Sequence, residues 1–299
     1  MDPPEDRCGF VLEPEHLVER GTVPADATWP FEMPEERWYR NFELSSCWRE
    51  VWEGTGRCIW HADVTGKPRT ALEAARTEHP ESLDGAVLGA DAVDGPLGNT
   101  VSFSGCRLLG ADFSGADLTV ASFVGAYLRF ADCTGAGLEG ATLAGANVGN
   151  ADFSGAALQH VELWEAYLNN TDLSDAVLDG TDLSGVDLRG ADLHGVDLRR
   201  TGLAGAKLAG ADLSGVNLRG TDLSGTDFEN ATLLGARFEK ATLAGARFGG
   251  DTAQADVELE RADLSGADLG AANLRVARLW RSDLTSAGAS GGDRVDGEV

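Results

Sequence analysis

From Val101 to Gly250 the chain reads as consecutive groups of five, VSFSG, CRLLG, ADFSG, ADLTV, ASFVG and onward, with an apolar residue at the third place of each group. Thirty such centres run from Phe103 to Phe248; they comprise 21 Leu, seven Phe, Cys133 and Val148. The residue two before each centre is small throughout: 19 Ala, five Val, five Thr and Cys106. Neither the helical period of 3.6 nor the strand period of 2 generates a strict five, so an ordinary amphipathic helix and a half-buried strand are both excluded. A fixed short period marks a solenoid, whose repeats bury their apolar side only by stacking on one another. Centre and small residue are expected to point inward together, and glycine at the fifth place permits a tight corner at positive φ.

The register slips once. Leu259, with Val257 two before it, opens a second run through Leu264, Leu269, Leu274, Leu279 and Leu284. Eleven residues separate Phe248 from Leu259 where ten would keep phase, so 249–256 (GGDTAQAD) is read as a bulge or small loop.

These A(D/N)LxG-type units resemble the pentapeptide-repeat family. The resemblance implies an all-β fold, a right-handed quadrilateral parallel β-helix with four pentapeptides per coil. Coils about 4.8 Å apart would satisfy the backbone through parallel ladders, and the filled interior would leave no room for a substrate. The expected organisation is a small loop-rich module over 1–80, the solenoid over 81–286 and an acidic Gly/Ser-rich tail over 287–299 that is read as disordered.

Twenty residues per coil would make every fourth pentapeptide share a face, and charge then sorts by face. One face carries Asp112, Asp132, Asp152, Asp172, Asp192 and Asp212 immediately before its centres, plus Asp175, and no basic residue. The opposite face has Glu162, Glu165, Asp182 and Asp222, again without a base. A third has three acids against Arg107, Arg129, Arg189, Lys207 and Arg247, and the fourth balances five against five. The six-Asp strip is the candidate interaction face, for a basic protein surface or for cations. The alternative is that Asp is simply the outward residue whose carboxylate hydrogen-bonds backbone at the turn. Tyr127, Tyr167 and Trp164 are further outward residues that could mark a contact patch.

Residues 1–80 differ in kind, with five of the seven Trp, eight of the nine Pro and no fivefold pattern. Residues 68–78 (PRTALEAARTE) read as a short helix with Pro in its first turn, placed to cap the first coil, whose open edge is an aggregation liability. Cys106 and Cys133 occupy inward repeat positions. Cys8, Cys47 and Cys58 fall in the module, and Cys58 begins a C-x-x-H with His61. Three thiolates and an imidazole form a closed tetrahedral set suited to one structural zinc, with His16 in reserve; three buried free cysteines is the other reading. The set is similar to Cys-rich modules preceding some archaeal pentapeptide repeats.

The chain has 299 residues, 49 acidic and 24 basic, for a net charge of −25. Direct grip on nucleic acid or anionic lipid is disfavoured, because both need a basic footprint. Only three lysines occur, and such a composition suits a halophilic cytoplasm, where the Debye length is about 3 Å. The opening MDPPEDRCGF has neither region of a secretory signal, which leads to an expectation of a cytoplasmic protein, monomeric or weakly oligomeric. Nucleophile-elbow, phosphate-loop and zincin motifs are absent, so no enzyme is expected. The leading expectation is a non-enzymatic interaction scaffold with an unknown protein partner. The second is a DNA mimic, since some members of the resembled family protect gyrase by presenting an acidic rod. A divalent-cation binder along the Asp strip is the third, although it lacks the ligand cage that Ca²⁺ requires.

Overall fold

The structure is a computed structural model, and it describes residues 67–68, 72, 83, 86–89, 93–94, 97, 102–248 and 284. Within 102–248 the residue before a centre forms a parallel bridge to the residue twenty further on: Arg107 to Tyr127, Asp112 to Asp132, Asp117 to Gly137, Ser122 to Thr142 and so along the rod. Four pentapeptides therefore close one coil, and the chain winds as a four-sided parallel β-solenoid.

Each wall is one bridged residue wide, with alternating hydrogen bonds on either side of it. Phe113 N–H donates to Asp132 O at 2.7 Å, and Asp132 N–H donates back to Ala111 O at 2.9 Å. At the corner Ala116 N–H returns to Phe113 O at 2.9 Å, with Gly115 at φ 61°. That is the type II turn, which demands positive φ at its third residue. Gly115 N–H then reaches Thr134 O of the next coil at 2.8 Å, so the corner also joins the ladder.

All centres from Phe103 to Phe248 and all small residues from Cys106 to Ala246 are buried. Phenylalanine clusters at both ends of the regular stretch. Phe103 stacks on Phe123 at 5.0 Å, and Phe113 stands edge-on to both at 5.4 and 5.7 Å. Phe228, Phe238 and Phe248 form a second trio at 5.9 and 5.0 Å. Threonine replaces alanine inside without leaving an orphan hydroxyl. Thr171, Thr181, Thr201, Thr221 and Thr226 each donate Oγ1 to the carbonyl of the centre 23 residues earlier. That carbonyl has a second lone pair to offer, because it accepts only the turn N–H otherwise.

The winding begins before the fivefold pattern does. Val87 bridges Asp112, an offset of 25 rather than twenty, and Leu83, Ala86, Leu88 and Leu97 join the same core. Strand β1 (Lys67–Pro68) pairs in parallel with β2 (Val93–Asp94). Lys67 is buried, and its Nζ donates to Val87 O at 2.5 Å. Pro68 thus belongs to a strand pair, whereas the sequence places it in the first turn of a helix; Leu72 is helical, and the rest of the 68–78 segment lies outside the described residues. So do the zinc set Cys8, Cys47, Cys58 and His61, the slip at 249–256 and the tail. Leu284 of the second run packs, half-buried, against the core. No helix among the described residues is long and apolar enough to cross a membrane.

Candidate interaction faces

The six aspartates stand in one unbroken row. Asp112, Asp132, Asp152, Asp172, Asp192 and Asp212 are bridged each to the next. Their side chains fold back on the wall rather than projecting: Oδ1 accepts the backbone N–H two residues on, from Ser114, Thr134, Ser154, Ser174, His194 and Ser214, at 2.8–3.0 Å. These Asx turns cap each corner locally, and all six residues are half-buried. The same bond occurs on every other face, at Asp117, Asn147, Asp182, Asp187, Asp197, Asp222 and Asp227. The structural reason for Asp at this place is therefore general to the repeat, and the charge of the row is a separate property laid on top of it.

Neutralisation separates the faces. Asp187 is held by Arg189 through two nitrogens at 2.8 and 2.7 Å, and Asp197 by Arg199 at 2.9 and 2.5 Å. Arg200 reaches Asp179 at 3.1 Å, and Arg247 spans Asp227 and Glu229 at 3.2 and 3.0 Å. The guanidinium beside each of Asp187 and Asp197 holds that carboxyl below its usual range. Asp182 and Asp222 are lowered instead by the Ser184 and Ser224 hydroxyls and N–H groups. On the six-Asp row the one ion-pair partner among the described residues is His194, whose Nδ1 lies 2.8 Å from Asp192 Oδ1. Inside that wall the buried Cys133 thiol is pushed well up, first by burial and then by the fields of Asp132, Asp152 and Asp112. It is an inert core residue.

One corner departs from the rule. Between Gly105 and Gly245 every fifth residue takes positive φ except Arg200. Thr201 N–H still closes the turn onto Leu198 O at 3.2 Å, but Gly180 N–H bonds Arg200 O at 3.1 Å instead of the carbonyl 19 residues on. The Arg199–Arg200 peptide has flipped relative to its neighbours. An open depression of about 580 Å³ lies beside it, lined by Asp175, Val177, Asp179, Asp197, Arg199 and Arg200, with Asp197 paired to Arg199 and Asp179 to Arg200.

Besides Arg200, nine corners are not glycine, and one coil has no corner glycine: His160, Glu165, Asn170 and Asp175 take φ of 57°, 59°, 54° and 55°. A non-glycine residue there costs about 1–2 kcal/mol, least for Asn and Asp. The coil that accumulates this strain also carries the exposed Trp164 and Tyr167. Phe130 is another such corner, but it is buried, with the Arg129 guanidinium 5.1 Å from its ring. The only sequence signal for these places is the missing glycine.

Among the described residues no group of three or more His, Cys, Asp or Glu is placed to hold a metal ion. A family model described as pentapeptide repeats matches residues 101–129, 121–159, 157–195, 197–233, 211–250 and 256–293, and so includes the second run beyond the slip. No curated protein matches the chain. Among solved structures, HetL, a pentapeptide repeat protein involved in heterocyst differentiation regulation in the cyanobacterium Nostoc, is 28% identical, covering 73% of this chain and 87% of its own, with a TM-score of 0.47. A trypsin-treated variant of QnrB1, a plasmid-mediated fluoroquinolone resistance protein, is 20% identical over 68% of this chain and 86% of its own, with a TM-score of 0.46. Rfr23 from the cyanobacterium Cyanothece is 29% identical over 37% and 62%, with a TM-score of 0.18.

Proposed function

The chain belongs to the pentapeptide repeat family, and from that premise we propose that it is a non-enzymatic scaffold, a rigid acidic rod that presents its faces to a protein partner. The observation that carries this reading is the Asp112–Asp212 row: six carboxylates in a single bridge register, on a wall whose interior is filled by Leu and Phe. A filled solenoid cannot enclose a substrate, but it holds surface groups at fixed separations, which favours recognition by a complementary surface. The partner is expected to be basic where it meets the row. Affinity capture with full-length protein, comparing wild type with the sixfold Asp→Asn variant, tests this. Loss of a stoichiometric partner from the variant supports the row as the binding face, and retention moves the interface elsewhere.

A DNA mimic acting on gyrase is the second reading, favoured by the unbroken bridge register of the row and weakened by its spacing, near 4.8 Å, which is tighter than phosphates along a strand. A supercoiling assay in which gyrase is unaffected at low and high salt removes it. The remaining acidity is read as adaptation to salt in a cytoplasmic protein. We also propose that Cys8, Cys47, Cys58 and His61 hold one structural zinc; purified protein without stoichiometric zinc, and unchanged melting of Cys47→Ser, count against it.

A further inference from the structure

The corner between the face opposite the six-Asp row and the adjoining mildly basic face carries the largest exposed aromatic group of the described rod, with Trp164 on the first face and Tyr127 and Tyr167 on the second. Trp164 is 59% exposed, Tyr167 is 54% and Tyr127 is 57%. Trp164 and Tyr167 lie either side of the Glu165 corner. Two coils earlier Val124, 41% exposed, and Tyr127 lie either side of the Gly125 corner. The bridge row Tyr127–Asn147–Tyr167 fixes the two tyrosines one above the other, about 10 Å apart. In the neighbouring column Ala144, between Val124 and Trp164, is buried, whereas Ala204 and Ala244 of that column are half-buried. Val124, Tyr127, Trp164 and Tyr167 therefore form one apolar edge about three coils tall.

Acids frame the Trp164 end of this edge, while Arg107 is bridged to Tyr127 and Arg129 follows it at the other end. Glu162 precedes Trp164 on the same face, Glu165 follows it at the corner, and Asp182 is bridged to Glu162. Glu162 and Glu165 are exposed, and neither is in an ion pair among the described residues, in contrast to Asp187 and Asp197 on the adjoining faces. Three occupants can be compared. A second copy of the chain brings a net charge of −25 to acidic ground, and an edge about 10 Å by 10 Å falls far short of the roughly 800 Å² per partner that a stable dimer buries. An added β-strand has no free ladder to join, because the backbone groups here already bond from coil to coil, as Gly145 N–H does to Trp164 O at 3.0 Å. A short basic segment meets both halves of the edge: guanidinium planes stack on indole and phenol faces, and their N–H forks match the carboxylates of Glu162 and Glu165.

We propose that the Val124–Tyr127–Trp164–Tyr167 edge, with Glu162 and Glu165, is a docking site for an extended arginine-containing segment of a partner protein. It rests on the scaffold reading and names the partner's chemistry at a surface separate from the six-Asp row. The test uses full-length protein and a fluorescent peptide of six Arg-Gly repeats, with binding followed by anisotropy at 0.15 M and 1 M KCl. Trp164→Ala is expected to weaken binding at least tenfold, and so is the Glu162→Gln/Glu165→Gln double variant. Asp132→Asn/Asp152→Asn, which removes the same charge from the opposite face, is expected to change it less than twofold. A Lys-Gly peptide is expected to bind more weakly than the Arg-Gly peptide. Trp164 is exposed, so Trp164→Ala should melt like wild type, and that measurement separates lost docking from lost folding. The proposal is overturned if the peptide does not bind, if Trp164→Ala binds like wild type, or if the two double variants weaken binding equally. If the edge variants fail in this assay but a captured partner still distinguishes the six-Asp row, the docking edge falls and the scaffold reading stands.

Discussion

Asp192 holds His194 twice through a single oxygen: Oδ1 accepts the backbone N–H at 3.0 Å and lies 2.8 Å from Nδ1 of the ring. The hydrogen bond to Asp192 comes first in raising the imidazole above its ordinary 6.5, followed by the fields of Asp192, Asp175 and Asp212. Protonation is thus favoured in the folded rod. The stabilising contribution is full below 6.5 and is lost as pH rises through the raised folded value. An NMR titration of His194 in wild type should show a midpoint above 6.5 that falls toward it in Asp192→Asn and in molar salt. A midpoint indifferent to both changes would contradict the pairing.

The Asp row joins a local bond to a longer-range repulsion, and two substitutions at Asp152 separate them. Asparagine keeps the acceptor for Ser154 N–H, 2.8 Å away, and removes the charge; alanine removes both. Stacked carboxylates at ladder spacing repel by about 0.9 kcal/mol per neighbouring pair in water. The lost hydrogen bond costs about 1 kcal/mol. Asp152 has two such neighbours, Asp132 and Asp172, so urea melts at low salt should place Asp152→Asn above wild type by up to about 1.8 kcal/mol and Asp152→Ala above it by up to about 0.8 kcal/mol. At 1 M salt, where the Debye length is about 3 Å, Asp152→Asn should match wild type and Asp152→Ala should lie about 1 kcal/mol below.

How far the fold was legible follows from the same row. A period of five held for 150 residues fixes which side chains turn inward, and the spacing of twenty between bridged partners agrees with the coil that the family resemblance implies. Asx turns on every face explain why Asp recurs at its place, so the acidic strip could be read from sequence but its local cause could not be separated from any role in binding. The stacking of Val87 on Asp112 with an offset of 25 was hidden, because the sequence around Val87 lacks the motif and the described residues there join the winding through backbone bonds and apolar anchors such as Leu83 and Leu88. The flipped Arg199–Arg200 peptide was also hidden: arginine stands at a corner where Phe130, Glu165 and Lys240 still accept positive φ. The aromatic edge was visible only as separate outward residues, since the distance between columns comes from the winding.

His160 and Gly180 show why glycine is required at some corners more than at others. Both take positive φ, 57° and 76°, and the imidazole of His160 lies over Gly180 where a Cβ would stand. Gly180→Ala is expected to cost about 1–2 kcal/mol for the backbone conformation, with an added cost for displacing the ring. Removing the ring in His160→Gly should recover that added part and relieve strain at residue 160. A double-mutant cycle in urea should therefore show the two substitutions together costing less than the sum of their separate effects. Strict additivity would mean that the ring moves aside freely.

The Phe103–Phe113–Phe123 trio makes the last prediction both energetic and spatial. Phe123 is buried, stacked on Phe103 with ring planes 9° apart and edge-on to Phe113 at 90°. Phe123→Ala leaves a cavity and should cost about 3–5 kcal/mol, whereas Phe123→Leu restores the commonest centre residue and should cost about 1–2. In a solenoid each coil contacts only its neighbours, so the damage should stay local. Native-state hydrogen exchange should show Gly105, Leu108 and Phe123 amides losing protection in Phe123→Ala while Leu208, Leu213 and Leu218 keep theirs, although all six donate to carbonyls of the following coil at 2.7–2.8 Å. A uniform loss along the rod would show one cooperative unit and would also mean that docking at the Trp164 edge could be felt at Phe248.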